Sequence, residues 1–291
     1  MALTSVQTFH SPEDSKGVVE LLGKYEDSAL IVAGGTFLHG LVSRGLLSGI
    51  EALINIQKLG LNKIEVQGDS ISIGATTLLG QLQACEQVQN EAWLGAVKDA
   101  MTYPPVQIMN SGTVGGSISS SCPFFDFPVT LLALGGNVQA EGSGGARTVE
   151  LSEFFAGLFE NSLGADEFVT GVTIPVPSGK NTSAFIKMET NANDLAIINL
   201  AVSLAMGDDG NCASARVFAG GGVGETPVQC SAAEGILSGS ALDDETLEKA
   251  GQAAADELEP LSDHRASAEY RKAMGKVLLK RAVAKAIERL A

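Results

Sequence analysis

Residues 107–117 read QIMNSGTVGGS, and residues 122–134 read CPFFDFPVTLLAL. Gly112, Gly115 and Gly116 crowd one short segment, with the hydroxyls of Thr113 and Ser117 between and after them. A loop of this kind lets a charged group approach the backbone closely, and its N–H groups suit an anion. A second loop of the same character lies upstream, where Val32-Ala33-Gly34-Gly35-Thr36 follows a short apolar run and precedes a helical pattern. One Gly-Gly turn alone reads as chain reversal. Two in one chain read as a diphosphate site, with donors from both loops. Asp126, ten residues after Gly116, has two readings: a carboxylate that accepts ribose hydroxyls, or a cap for the helix that starts at Phe127-Pro128.

Outside these loops the chain is acidic and glycine-rich. Its 291 residues hold 34 Gly, and 19 Lys and Arg against 34 Asp and Glu leave a net charge of −15. That charge disfavours nucleic acid or an anionic membrane as partner. With 45% hydrophobic residues, the chain can bury sizeable cores, and its length suggests about two domains. No apolar run approaches the ~18 residues of a membrane span, and residues 1–10 show no secretory signal, so a cytoplasmic protein is expected. Cys85, Cys122, Cys212 and Cys230 form no CxxC pair, and His10, His39 and His264 are scattered. Free thiols are therefore expected, with no metal site on this chain. Neither GxGxxG in the first loop nor GxxxxGK[ST] anywhere is present.

Pattern and turn signals lay out the elements. Ser11-Pro12-Glu13 reads as a helix start with proline in the first turn, followed by strands at 29–32 and 52–56 around a helix at 37–44. A hairpin is expected at 63–66 and 70–73, turned by Gly68-Asp69. Helices follow at 78–89 and 93–101, the second stopped by Tyr103-Pro104-Pro105. Strands are expected at 137–140, 168–174 and 184–187, with the domain boundary at Pro175, Pro177, Ser178 and Gly179. Beyond it come apolar strands at 196–206 and 213–219 around Gly207-Asp208-Asp209-Gly210, then helices at 231–237, 244–257 and 268–290. The last carries an apolar stripe of Met274, Val277, Leu278 and Ala282. Gly220 to Gly222 with Gly224 form a further loop to which no role is assigned.

Taken together, these stretches resemble the FAD-binding medium subunit of molybdenum hydroxylases, the xanthine dehydrogenase and aerobic carbon monoxide dehydrogenase family. AGGT at 33–36 is similar to the family's first flavin loop. Residues 107–117 and 122–134 are similar to its QVRNxGTxGGN and DPxxDxPxxLLAL. Phe185-Ile186-Lys187 with Asp194-Leu195-Ala196 is similar to FxK…DxA, and residues 263–271 to DxRxSxxYR. The resemblance implies an α+β fold: a two-lobed FAD-binding domain of PCMH type at 1–177, with lobes about 1–57 and 58–177. A smaller α+β C-terminal domain of the carbon monoxide dehydrogenase flavoprotein type would follow at 178–291.

By the same resemblance, Ala33, Gly34, Gly35, Thr36 and Phe37 with Gly112, Thr113, Gly115, Gly116 and Ser117 would bind the FAD diphosphate. Asp126 would hold the ribose or polyol, Ile174 would pack near the isoalloxazine, and Lys187 would lie near the flavin end. Asp263, Arg265, Tyr270 and Arg271 would tie the last helix to its domain. FAD is expected to be noncovalent, because Thr36 stands where related flavoenzymes carry the histidine that bonds it. The implied role is electron transfer, with no catalytic acid or base on this chain. Electrons would come from two [2Fe–2S] clusters on a small subunit, fed by a molybdenum–pterin large subunit, and leave to an external acceptor. The assembly implied is a dimer of heterotrimers. A stand-alone flavin oxidoreductase of similar fold and a non-catalytic assembly protein are the alternatives. The chain departs from the family at Met109, Ser117 and Cys122, and at Glu189-Thr190-Asn191, where an arginine normally follows the lysine.

Overall fold

A computed structural model describes residues 5–290. Its first lobe is a parallel sheet of β1 (Thr8–His10), β2 (Ala29–Val32) and β3 (Ala52–Asn55), in the order β1-β3-β2. Parallel neighbours need crossovers, which α1 (Ser15–Tyr25) and α2 (Thr36–Ser43) supply. α1 packs Val18 and Leu22 against Ile54. It starts later than Ser11-Pro12 suggested: Asp14 is the N-cap and accepts from the Gly17 N–H at 2.8 Å. A carboxylate that reaches the third helical amide outweighs the proline signal.

The second lobe is an antiparallel sheet of β4 (Ile64–Gln67), β5 (Ser70–Gly74), β6 (Asn137–Gly142), β7 (Gly145–Glu150) and β10 (Phe168–Pro175). Its order, β4-β5-β10-β6-β7, puts the last strand in the centre. The expected hairpin pairs Ile64 with Ile73 and Val66 with Ile71. Only the β5 side chains are buried, since Val66 lies on an exposed edge. β7 carried no sequence signal because nearly all its residues face outward. Between β5 and β6 run α3 (Leu79–Ala84), α4 (Glu86–Asn90), α5 (Gly95–Ala100), α6 (Val106–Met109), α7 (Val114–Ser119) and α8 (Asp126–Ala133). The helix expected at 78–89 breaks at Cys85, whose backbone is extended. After β7 come α9 (Leu151–Phe154) and a small hairpin of β8 (Phe155–Gly157) and β9 (Glu160–Asn161).

From residue 180 onward the chain forms an antiparallel meander of β11 (Lys180–Glu189), β12 (Ala196–Met206), β13 (Cys212–Gly220) and β14 (Val228–Gln229). One face is covered by α10 (Ser231–Leu237), α11 (Asp244–Glu257) and α12 (Ala268–Glu288). The buried face of α12 is Arg271, Gly275, Leu278, Leu279, Ala282, Val283 and Ala286, so Met274 and Val277 lie beside the stripe. Small residues set this face: a Cβ at Gly275 would come within 2.7 Å of Leu258 Cδ1.

β11 is the edge of its sheet, and an open edge leaves backbone donors unpaired. Second-lobe side chains close it. Phe185 N–H donates to Asp99 Oδ2 at 3.0 Å, and Lys187 N–H donates to the Tyr103 hydroxyl at 3.2 Å. This pairing sets Lys187 beside the start of α8, 61 positions earlier in the chain.

Candidate functional site

The two glycine loops meet. A Cβ on Gly34 would fall 1.7 Å from the Ser111 carbonyl oxygen, so only glycine lets the first loop rest on the second. Gly35 then takes a left-handed conformation (φ +69°) as N-cap of α2, without a side-chain cap. The first-turn amides of α2 have no intrahelical acceptor and lie at the positive end of its dipole. This is the donor set that Gly34, Gly35, Thr36 and Phe37 bring to the cleft, with Ala33 entering it from β2. His39, one turn on, is exposed on the helix face.

The second loop differs from the sequence expectation of open amides. Val114 N–H donates to Thr77 O at 2.9 Å and Gly115 N–H to Ala75 O at 2.8 Å. Gly116 N–H goes to Thr113 Oγ1 at 3.2 Å, and Ser117 N–H to Thr113 O at 2.9 Å. The loop meets 75–79 through a single bridge between Leu78 and Thr113 and then enters α7, so its amides are taken by Ala75, Thr77 and the Thr113 cap. Gly115 is glycine for the same reason, since its Cβ would meet Ala75 Cβ at 2.6 Å, and Gly112 is crowded by Ile108 O at 2.8 Å. Gly116 differs: its missing Cβ would approach only Thr113 Oγ1 of its own loop. Gly35, Gly116 and Ser117 are half-buried, with no backbone packed against the Cβ side of Gly35 or Gly116, whereas Gly34, Gly112 and Gly115 are packing glycines. The residues fit a diphosphate, with amides from the first loop and a side-chain-free wall from the second. The Thr76 and Thr77 hydroxyls behind this wall are buried without a hydrogen-bond partner.

Asp126 does not cap α8; Phe125 holds that position without a side-chain bond. Its carboxylate turns inward, accepting from Lys187 Nζ at 3.0 Å on Oδ2 and from Asn199 Nδ2 at 2.8 Å on Oδ1. The Lys187 and Asp126 side chains are only 4% and 9% exposed. The two residues expected at separate points along the ligand thus form one ion pair. Glu189 Oε2 lies 3.2 Å from the same ammonium, and the Tyr103 ring lies 5.2 Å from it. Burial pushes the Asp126 carboxyl above its usual range, against the pull of Lys187 and Asn199. Burial likewise raises the Tyr103 hydroxyl.

Phe37 joins the loops to this cluster. Its ring meets Phe125 edge-on at 6.1 Å and Phe159, at the tip of the β8–β9 hairpin, at 6.2 Å. Ile174 is 1% exposed, opposite Ile71 in the second-lobe core, so its side chain lies on no open surface. Tyr103, Asn199 and Glu189 were missed as site residues. Asn199 had one available signal, a lone amide inside the apolar run 196–206, and it is fully buried. Tyr103 was hidden in a helix-stop motif.

The C-terminal signature performs the tying expected of it. Arg271, 1% exposed, donates to Ile197 O at 2.6 Å, to Gly221 O, and to Asp263 Oδ1 at 2.7 Å. Arg265 lies over the Phe124 ring at 5.3 Å, and the Tyr270 hydroxyl reaches Met188 Sδ at 3.1 Å. Gly221 and Gly222 are both at positive φ: a Cβ at Gly222 would meet the Arg271 guanidinium at 2.7 Å, one at Gly221 would meet Ile198 Cα at 2.6 Å, and Gly221 N–H donates to Pro123 O at 2.9 Å. Among the described residues no group of three His, Cys, Asp or Glu could hold a metal, and all four cysteines are free. No helix among them is long and apolar enough to cross a membrane.

Comparison with known proteins gives the family. Residues 4–177 match the family described as FAD binding domain in molybdopterin dehydrogenase, and residues 183–286 match the CO dehydrogenase flavoprotein C-terminal domain. The chain is 31% identical to the nicotine 6-hydroxylase medium subunit of Paenarthrobacter nicotinovorans, over 96% of both chains. It is also 31% identical to the carbon monoxide dehydrogenase medium chain of Afipia carboxidovorans, over 96% of both. A solved chain from reconstituted CO dehydrogenase of Oligotropha carboxidovorans superposes with a TM-score of 0.93 at 31% identity, covering 99% of this chain and all of that one.

Proposed function

Because this chain belongs to the FAD-binding medium subunits of the molybdenum hydroxylases, we propose that it carries electrons between two partner subunits and an external acceptor. FAD, held noncovalently, supplies the redox chemistry. The contact of Gly34 with Ser111 supports this reading most directly, since it brings both glycine loops to one cleft. There the first-turn amides of α2 would take the diphosphate, with the Thr36 and Ser117 hydroxyls beside them and Thr113, buried, holding the second loop through its bond to Gly116 N–H. Phe37, Phe125 and Phe159 would exclude water from one wall. Lys187 and Asp126 would present a buried ion pair to the more distal part of the ligand, fixed by Asn199 and Tyr103. None of these groups is placed to move a proton to or from an organic substrate, so substrate oxidation would occur on another chain. We take 1–177 as the FAD-binding unit and 178–291 as the C-terminal unit that supplies Lys187.

The partners we infer are a large molybdenum–pterin subunit and a small subunit with two [2Fe–2S] clusters, in a cytoplasmic dimer of heterotrimers. Purification of the native complex tests this. The expected result is a yellow assembly of three subunits containing molybdenum and iron, releasing all its FAD on denaturation. A colourless chain that takes up no added FAD overturns the flavin assignment. A yellow chain that purifies free of both partners overturns the assembly and leaves a stand-alone oxidoreductase.

A further inference from the structure

We propose that Glu189 is a tuning residue: by opposing Lys187 it weakens the binding of reduced flavin relative to oxidised flavin. The inference rests on the assignment of the cleft to FAD. Lys187 Nζ has two carboxylates against it, Asp126 Oδ2 at 3.0 Å and Glu189 Oε2 at 3.2 Å. The three side chains are 4%, 9% and 19% exposed. One ammonium and two carboxylates leave a formal charge of −1 in a region where solvent screens little. The remaining neighbours, the Asn199 amide and the Tyr103 ring and hydroxyl, are neutral. Of the guanidiniums around this region, Arg265 lies over Phe124 and Arg271 is on Asp263, while Arg44 acts, with Arg265 and Asp126, on the Cys122 thiol rather than on Lys187 or Glu189.

The two carboxylates are not equivalent. Asp126 receives a hydrogen bond on each oxygen. Glu189 accepts the Asn193 N–H on Oε1 at 3.3 Å, while its Oε2 has no hydrogen bond and meets Lys187 by charge alone. Glu189 is therefore the surplus carboxylate. It stands in the stretch where this sequence has Glu-Thr-Asn in place of the arginine of the pattern it resembles. On the FAD assignment above, Lys187 lies toward the distal part of the ligand, and the Phe125 ring beside Asp126 meets Phe37 of the first loop at 6.1 Å, so the surplus carboxylate would act on the flavin end. Two electrons and one proton entering the flavin add one negative charge to it, and a neighbouring uncompensated carboxylate opposes that gain. Electron flow out of the flavin is favoured correspondingly.

The test is a spectroelectrochemical titration of FAD bound to the full chain, with dithionite as reductant and a reference dye, in wild type and Glu189→Gln. The amide keeps the size of the side chain and removes its charge. The ratio of dissociation constants for oxidised and reduced flavin is expected to shift about tenfold toward the reduced form, a rise of about 30 mV for a two-electron couple. Glu189→Ala is expected to move the same way. An unchanged or lower midpoint in a variant that retains FAD overturns the inference while leaving the FAD assignment intact. Loss of FAD or of folding in both variants also overturns it, since Glu189 would then hold the 190–195 loop. A wild-type chain that takes up no FAD overturns the assignment beneath it and the inference together.

Discussion

Gly34 and Gly116 lack side chains for different reasons, and substitution should separate them. At Gly34 the added carbon meets a backbone oxygen at 1.7 Å, which cannot yield without parting the loops. Gly34→Ala is expected to cost about 1–3 kcal/mol as an overpacking change, with lower thermal stability and lower FAD content together. At Gly116 the nearest atom is a side-chain oxygen of the same loop, 2.9 Å away. Gly116→Val is expected to cost about 1 kcal/mol through the Thr113 cap and to abolish FAD retention by filling the cleft wall. Thermal melting and flavin absorbance read both effects. Wild-type flavin content in Gly116→Val would show the site to be misplaced. In the sequence the two glycines look alike, each part of a Gly-Gly pair beside a threonine or serine. What distinguishes them is a contact with the other loop, which no local pattern carries. Asp126 was ambiguous for the same reason, because its partners Lys187 and Asn199 lie on strands of the other domain.

Among the elements, β11 and α12 join the two halves of the chain. Asp99 on α5 accepts Phe185 N–H from β11, and from α12 it takes Lys285 Nζ at 2.8 Å and the Arg289 guanidinium. Its side chain is 7% exposed, so removal leaves the Phe185 N–H without an acceptor and takes the carboxylate from Lys285 and Arg289, which are 38% and 20% exposed. Asp99→Ala is expected to destabilise the chain by about 1–3 kcal/mol, mainly for the buried N–H left unpaired. The urea midpoint measures it, and a shift no larger than that of an exposed-pair variant such as Lys249→Ala would refute the brace. Elements with apolar alternation or dense apolar runs, such as β2, β5, β10, β12 and α11, were legible from pattern. β7 was not, because an exposed edge strand is held by backbone bonds that leave no mark on side-chain polarity. The buried face of α12 was only partly legible: the apolar stripe included Met274 and Val277, which lie beside it, whereas the face also takes in Gly275 and the anchor Arg271, whose burial is made tolerable by two carbonyls and Asp263.

For the whole molecule, the charge of −15 sets how an anionic ligand arrives rather than whether it binds. At about 0.01 M salt the Debye length is roughly 30 Å and the entire acidic surface repels FAD; at 0.15 M it is about 8 Å. The association rate of FAD with the apo chain is therefore expected to rise severalfold across this range, on the order of threefold, opposite to an electrostatically steered ligand. Stopped-flow quenching of FAD fluorescence measures it, and a rate that falls with salt would mean that local dipoles outweigh the net charge at long range. The amino-acid sequence by itself determined the mixed architecture, the two glycine loops, the acidity and the residue types available to a flavin, because periodicity, turn chemistry and composition are local properties. Only the tertiary structure decided that the loops touch, that the first supplies open amides while those of the second are taken by Ala75, Thr77, Ile108 and Thr113, and that Lys187 sits between Asp126 and Glu189. The last depends on the docking of the β11 edge against Asp99 and Tyr103, and the others on close backbone contacts between segments far apart in the chain, which decide which polar groups remain free for a ligand.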